Sequence, residues 1–326
     1  MLKLAVIGTN WITDKFIEAA LQTGEYELVA VYSRSTESGK VFANKYGVNL
    51  IFTDLIGLAQ SNAIDAVYIA SPNSLHFAQS KLMLENGKHV ICEKPLSSNI
   101  TQVNELIEIA KRHNRVIFEA LKIFYLPNYE LVKQYLPKLG KIRKAFLNYC
   151  QYSSRYPRYL DGDNPNTFNP KFSNGSVMDI GVYPLNFAVG LWGKPNKLMA
   201  QAYLLPSGVD GHGSVLMNYG EFDVVIWHSK VSDSCIPSEI QGEEGSLIIE
   251  HLSVGEKIIY KPRQGAAQDI TLPQQENTMY YEAKQFASLC QQSTSYHLGL
   301  TLSTISSELL TEIRRQTGVV FSADKI

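Results

Sequence analysis

Over its first 120 residues the chain alternates short apolar runs with stretches of helical period, and few folds fit that alternation. Leu2–Ile7 reads as an apolar run, the pattern of a strand buried on both faces. Leu28–Tyr32, Asp65–Ala70, His89–Cys92 and Arg115–Glu119 read as further strands. Between them lie helical stretches. Thr13–Thr23 stops at Gly24, and Ser35–Tyr46 stops at Gly47 with Val41, Phe42 and Tyr46 turned inward. Ser74–Glu85 and Ile100–His113 follow. Strands alternating with helices at this spacing require right-handed crossovers and predict an α/β fold with a doubly wound parallel sheet.

After Glu119 the pattern changes. A bridge over 121–140 holds a helix near Tyr129–Leu136, and Ile142–Tyr149 alternates like a half-buried strand. Residues 155–175 read as a loop rich in Pro, Asn and Gly, and Val177–Leu191 as a helix. Strand-like runs then dominate from Leu198 to Tyr260, predicting an open, largely antiparallel sheet, and the helices Met279–Gln291 and Leu300–Arg315 close the chain. The expected division is a parallel-sheet α/β domain over 1–120 and a C-terminal α/β domain over 121–326. A closing helix has the option of packing back on the first domain.

The formal net charge of −1 points away from nucleic acid and anionic membrane as partners. Cys92, Cys150, Cys235 and Cys290 are far apart and form no CxxC pair. They read as reduced thiols of a cytoplasmic protein, neither a disulfide frame nor a metal site. The first strand begins at Leu2, leaving no room for a signal peptide, and no apolar run approaches the ~20 residues that span a bilayer.

Glu93-Lys94-Pro95 directly follows the run His89–Cys92. A lysine at the carboxyl end of a buried strand is a costly charge, tolerated where a cation or proton donor is needed. In parallel α/β sheets that end of the strands is where ligands bind. The plainer reading is a strand-end lysine reaching to solvent. Gly8-Thr9-Asn10-Trp11-Ile12-Thr13 follows the first strand and leads into a helix. Gly8 permits the tight turn that aims backbone N–H groups at a pyrophosphate, but Asn10 and Thr13 replace the other two glycines of the dinucleotide fingerprint. Asn10 is expected to substitute through its tolerance of left-handed backbone angles. A plain strand-to-helix turn is the competing reading. At the end of the second strand Ser33-Arg34-Ser35 offers no acidic residue for the ribose hydroxyls of NAD; a small polar platform and a guanidinium suit the 2′-phosphate of NADP. NADP is therefore preferred over NAD, with Arg34 as a solvated cation the alternative.

Together these motifs resemble the Gfo/Idh/MocA oxidoreductases. The carriers are Gly8, Ser71-Pro72-Asn73-Ser74-Leu75-His76, Glu93-Lys94-Pro95 and Met178-Asp179-Ile180-Gly181-Val182-Tyr183, in that order along the chain. The resemblance implies a Rossmann domain followed by an α/β domain whose open sheet often makes oligomer contacts. It implies that Lys94 meets the substrate hydroxyl and the nicotinamide ribose, and that Asp179 positions substrate or tunes that lysine. Tyr183 falls where many members carry a catalytic histidine; the sugar-oxidising and dihydrodiol branches have tyrosine. Cofactor contacts fall on Gly8, Thr9, Asn10, Trp11, Ile12, Ser33, Arg34, Ser71, Pro72, Asn73, His76, Glu93 and Lys94. The chain departs from the family at Ser173-Asn174-Gly175-Ser176, where a glycine run is common. It departs again at Phe124-Tyr125-Leu126-Pro127, which lacks a common Arg and His, and Asn186 replaces a frequent aspartate.

Removing a hydride from an alcohol carbon requires a second group to take the hydroxyl proton. Asp179 and Tyr183 are four apart and share one helix face, so a carboxylate and a phenol stand side by side. The assignment is Lys94 as electrostatic stabiliser and proton-relay partner with Tyr183 as proximal acid/base, or the two exchanged. Each has a plain alternative: Asp179 as a helix cap, Tyr183 as core, Asn73 and Ser74 as an N-cap, His76 as a satisfied first-turn histidine. The expected function is an NAD(P)-dependent oxidoreductase acting on a sugar, polyol or related alcohol or carbonyl, a small-molecule substrate. The alternative is a regulator that senses dinucleotide or sugar without turnover. An exposed sheet face predicts a homodimer or homotetramer.

Overall fold

The computed structural model describes residues 1–292 and 294–325; Ser293 and Ile326, both within the expected second domain, lie outside the described residues. The chain runs β1 (Leu2–Ile7), α1 (Trp11–Gln22), β2 (Tyr26–Tyr32), α2 (Thr36–Asn44), β3 (Leu50–Phe52), α3 (Leu55–Gln60), β4 (Ala66–Ile69), α4 (Asn73–Glu85), β5 (His89–Glu93), α5 (Ile100–Arg112) and β6 (Ile117–Ala120). It continues with α6 (Pro127–Tyr135), β7 (Ile142–Cys150), α7 (Tyr156–Leu160), α8 (Val182–Trp192), β8 (Lys197–Leu204), β9 (Asp210–Asn218), β10 (Asp223–Ser229), β11 (Ser238–Gly242), β12 (Gly245–Glu250), β13 (Lys257–Pro262) and β14 (Gln268–Asp269). The helices α9 (Met279–Gln291) and α10 (Leu298–Thr317) complete it. Two compact units result: Met1–Lys122 with Gln275–Thr301, and Ile123–Gln274 with Leu302–Ile326.

In the first unit six parallel strands lie in the order β3-β2-β1-β4-β5-β6. This is the expected doubly wound sheet. Strand order reverses between β1 and β4, the position where such sheets bind ligands beyond their carboxyl ends. The central strands are apolar because helices cover both faces: Ala5, Ile7, Val67, Ile69, Val90 and Cys92 are all buried. Phe16 of α1 stacks on Tyr68 of β4 with centroids 3.8 Å apart, and α9 packs on α1 in the same unit. One inward assignment fails. α2 buries Gly39, Phe42 and Ala43, and Val41 is 68% exposed, because the buried stripe runs through positions three and four apart and leaves Val41 on the far side.

The second unit holds an eight-stranded mixed sheet, β14-β13-β12-β11-β7-β10-β9-β8. It is antiparallel except where β10 runs parallel to β7. α8 packs on β7 and β10. Leu185, Phe187 and Val189 of α8 are buried, as are Leu147, Val224 and Ile226 of the sheet; each such side chain contributes about 1.5–3 kcal/mol on leaving water. β8 alternates between half-buried and exposed residues along its length, so one face of the sheet's edge region stays open. α7 lies in the stretch expected to be loop.

Candidate active site

The first unit brings the expected cofactor residues to one edge of its sheet. Gly8, Ser33-Arg34, Ser71 to His76 and Glu93-Lys94 sit at the carboxyl ends of β1, β2, β4 and β5. Gly8 adopts φ +114°, and a Cβ there would lie 2.8 Å from the carbonyl oxygen of Ala70. Only glycine gives the turn this close approach. Asn10 serves differently from the expectation. Its backbone is extended, at φ −101°, not left-handed, and its side chain caps α1. Asn10 Oδ1 accepts from the N–H of Ile12 at 3.0 Å, and Nδ2 donates to the Ala70 carbonyl at 2.9 Å. The short amide thereby ties the α1 N-terminus to the end of β4. Trp11 is exposed, and the buried Thr13 hydroxyl has no hydrogen-bond partner among the described residues.

Ser33 is buried and Arg34 exposed at the end of β2, and the Ser35 hydroxyl caps α2 by accepting from Ser38 N–H at 3.3 Å. A guanidinium beside a helix N-terminus forms an anion-favouring corner. The glycine cradle at Gly8, the α1 N-terminus and this basic corner at the adjacent strand fit a dinucleotide with an extra phosphate on its adenosine ribose.

His76 is fully buried, its Nδ1 2.9 Å from the Pro95 carbonyl oxygen and its Nε2 2.9 Å from that of Ser71. It pins the turn after β4 to the turn after β5, and burial lowers its pKa. Glu93 points back into the unit. It accepts from the Tyr68 hydroxyl at 2.6 Å and from the Lys94 N–H at 3.3 Å, and burial pushes its pKa up. The Leu96 N–H donates to Glu119 at 2.9 Å, anchoring the far side of the same turn. Lys94 is thus carried on a turn held at both flanks, its side chain half-buried. Lys122, two residues beyond β6, joins Glu93 and Glu282 in one electrostatic cluster. Burial draws the lysine's pKa down while the two carboxylates pull it up, and burial holds Glu282 well above the usual carboxylate range.

The second unit carries Asp179 and Tyr183. From Gly175 to Val189 every residue is buried except these two. The turn Val177–Gly181 that holds Asp179 is a π turn, wider than the α-helix it opens, and such turns occur often at functional sites. Three buried residues brace it. Asp210 Oδ2 accepts from the Val177 N–H at 2.6 Å, and His228 Nδ1 lies 2.9 Å from the Ser176 hydroxyl and 3.6 Å from Asp210. Burial pushes His228 down to about 3 and Asp210 up to about 6, so at neutral pH the imidazole is uncharged and the contact is not an ion pair. Ser176, His228 and Asp210 have the composition of a hydrolytic triad, yet all three are at most 2% exposed, so no substrate reaches the hydroxyl.

Asp179 is paired. Lys230 Nζ donates to its Oδ2 at 2.5 Å. The Tyr183 ring lies 5.6 Å from that of Tyr149. Asn186 is a core tie, donating to the Val182 carbonyl at 2.8 Å and accepting from Ser306. Lys122 and Lys230 were passed over in the sequence, although Lys122 stands two residues beyond β6 and Lys230 directly follows β10, strand-end positions like that of Lys94. Among the described residues no group of three or more His, Cys, Asp or Glu is placed to hold a metal ion.

Fold and site residues together define an oxidoreductase built on a nucleotide-binding Rossmann unit. The profile described as "Oxidoreductase family, NAD-binding Rossmann fold" matches residues 2–121, and the GFO/IDH/MocA C-terminal domain matches residues 136–248. The chain belongs to the Gfo/Idh/MocA oxidoreductase family, and it is an NAD(P)-dependent enzyme. It is 58% identical to the uncharacterized oxidoreductase YgjR of Escherichia coli, over 100% of this chain and 99% of that one. It is 43% identical to the scyllo-inositol 2-dehydrogenase (NADP(+)) IolU of Bacillus subtilis, over 100% of both. Among solved structures it is similar to a mutant of KijD10, a 3-ketoreductase from Actinomadura kijaniata in complex with TDP-benzene and NADP. That likeness has a TM-score of 0.88 at 20% identity and covers 97% of this chain and 98% of that one.

Proposed function

We propose that the enzyme interconverts a secondary alcohol and a ketone on a polyol, with NADP as its cofactor. The observation that best supports this is the meeting of the Gly8 cradle, the Arg34 corner and the half-buried Lys94 along one strand-end edge. The similarity to a scyllo-inositol 2-dehydrogenase that uses NADP(+) supports polyol and cofactor alike. NADP, when bound, supplies the hydride acceptor or donor. Gly8, Thr9, Asn10, Trp11 and Ile12 would receive the pyrophosphate, and Ser33 and Arg34 the 2′-phosphate. Ser71, Pro72, Asn73, His76 and Glu93 would shape the nicotinamide end.

Lys94 holds its ammonium on the reacting oxygen and favours the alkoxide-like charge that develops there. Tyr183 takes the hydroxyl proton in oxidation and returns it in reduction. Asp179 accepts a hydrogen bond from a substrate hydroxyl and so orients the ring. For the wild type we expect NADP⁺ reduction with polyols, followed at 340 nm, to be faster than NAD⁺ reduction. Arg34→Ala is expected to weaken NADPH binding by about tenfold to a hundredfold, the scale of one lost charge-assisted phosphate contact, with little change for NADH. Equal losses for both cofactors, read by fluorescence titration, would remove Arg34 from the 2′-phosphate.

The open sheet face supports a homodimer or homotetramer. Met199 pairs with Leu216 across β8 and β9, and Tyr203 and Trp227 share that face; all four are at least 40% exposed. Apolar surface of this kind is ordinarily covered by a partner. Sedimentation at micromolar concentration is expected to give at least a dimer, and Trp227→Glu to shift it toward monomer; a monomeric wild type would contradict the reading. Four free cysteines support a reducing cytoplasmic setting, which recovery of the native protein from an oxidising compartment would contradict. Among the described residues no helix is long and apolar enough to cross a membrane.

A further inference from the structure

The structure assigns a role to Lys230, a residue outside every motif described above: we propose that it is the positioning residue for Asp179. The inference rests on the proposed polyol oxidoreductase function and deepens it, because it concerns how substrate is gripped.

Lys230 directly follows β10, whose end is in register with β7 through His228 with Tyr149 and Ser229 with Cys150. Its backbone is held from two sides. Its N–H donates to the Gly211 carbonyl at 2.8 Å, and its own carbonyl accepts from the Ser153 N–H at 2.9 Å. The side chain is only 11% exposed and donates to Asp179 Oδ2 at 2.5 Å. The ammonium is therefore delivered to a fixed point by a fixed backbone. The neighbouring strand end treats Tyr183 alike, since Tyr149 sets its ring against the Tyr183 ring. The two side chains that stay accessible between Gly175 and Val189 are thus each braced by a residue from the ends of β7 and β10.

A short charge-assisted bond of this kind is directional, and partial burial limits its screening by salt. It selects one carboxylate rotamer and takes up one oxygen, and so sets the direction in which Asp179 meets a substrate hydroxyl. Because Lys230 acts on binding geometry and not on the proton being moved, its loss belongs in KM more than in kcat.

The test is Lys230→Met, close in length but without the charge. We expect KM for the polyol to rise by about tenfold or more, with kcat changed less than about threefold and the NADPH Kd unaltered. Lys230→Arg is expected to recover most of the affinity, and adding Lys230→Met to Asp179→Asn to raise KM no further. A side chain that only stabilises the fold would lower Tm and leave KM alone, and an unchanged KM would overturn the proposal. If the wild type turned over no polyol, the functional reading would fail instead. Crystals of Lys230→Met then decide for Lys230: an Asp179 carboxylate rotated from its wild-type rotamer supports the proposal, and an unmoved one overturns it.

Discussion

Lys94→Met is expected to lower turnover by about a thousandfold or more while the NADPH Kd changes only a few-fold. General acid–base and electrostatic groups at a reacting oxygen each contribute about 10²–10⁴-fold. Methionine keeps the length of the side chain and removes only the charge and its donors. The turn that carries it should persist, since its supports lie elsewhere: Tyr68 on Glu93, Glu119 on the Leu96 N–H, and His76 on the Pro95 carbonyl. The groups proposed to hold the dinucleotide's phosphates, Gly8 and Arg34, stand on other strands. Steady-state rates and a cofactor fluorescence titration on one preparation separate the two effects. Normal turnover would take Lys94 out of the chemistry, and a parallel collapse of NADPH binding would make it a cofactor ligand first.

Gly8→Ala is expected to destabilise the first unit and to weaken NADPH binding by more than about tenfold. Two costs add at this position. The backbone at φ +114° is outside the regions L-residues favour, and the new Cβ would press on the Ala70 carbonyl at 2.8 Å, a main-chain atom that cannot rotate away. Strain of this kind costs about 1–3 kcal/mol, and the clash adds to it. Gly24→Ala is the matched control. Its φ is +74° with nothing within 4 Å of a Cβ, so only the left-handed backbone cost of about 1–2 kcal/mol applies, with no clash added. Thermal unfolding should separate the pair by several degrees. Equal melting temperatures would mean that the Gly8 turn relaxes without loss.

The first unit was readable because its central strands are buried on both faces. Val67, Ile69, Val90 and Cys92 leave no polar alternation to confuse with a helix. β3 escaped for the opposite reason: it is a three-residue edge strand, exposed or half-buried throughout, and its run Leu50-Ile51-Phe52 is too short to mark a strand. Asn10 departs from the physics expected of it. Its value is a short side-chain oxygen that caps α1, not a left-handed backbone. The Asp179–Tyr183 spacing was visible as a period. The π turn beneath it and the Lys230 contact were not, because both depend on β9 and β10, and the ion pair joins residues 51 apart in the chain. Local pattern carries a helix face; it does not carry which distant ammonium meets it.

The central claim is that a hydride passes between a polyol carbon and NADP on this protein. Wild-type enzyme mixed with NADP⁺ and an inositol deuterated at its carbinol carbons measures it directly. The account predicts rising absorbance at 340 nm, deuterium in the reduced nicotinamide, and a slower rate than with the protiated substrate. NADP⁺ that binds tightly yet stays oxidised with every polyol offered would contradict it.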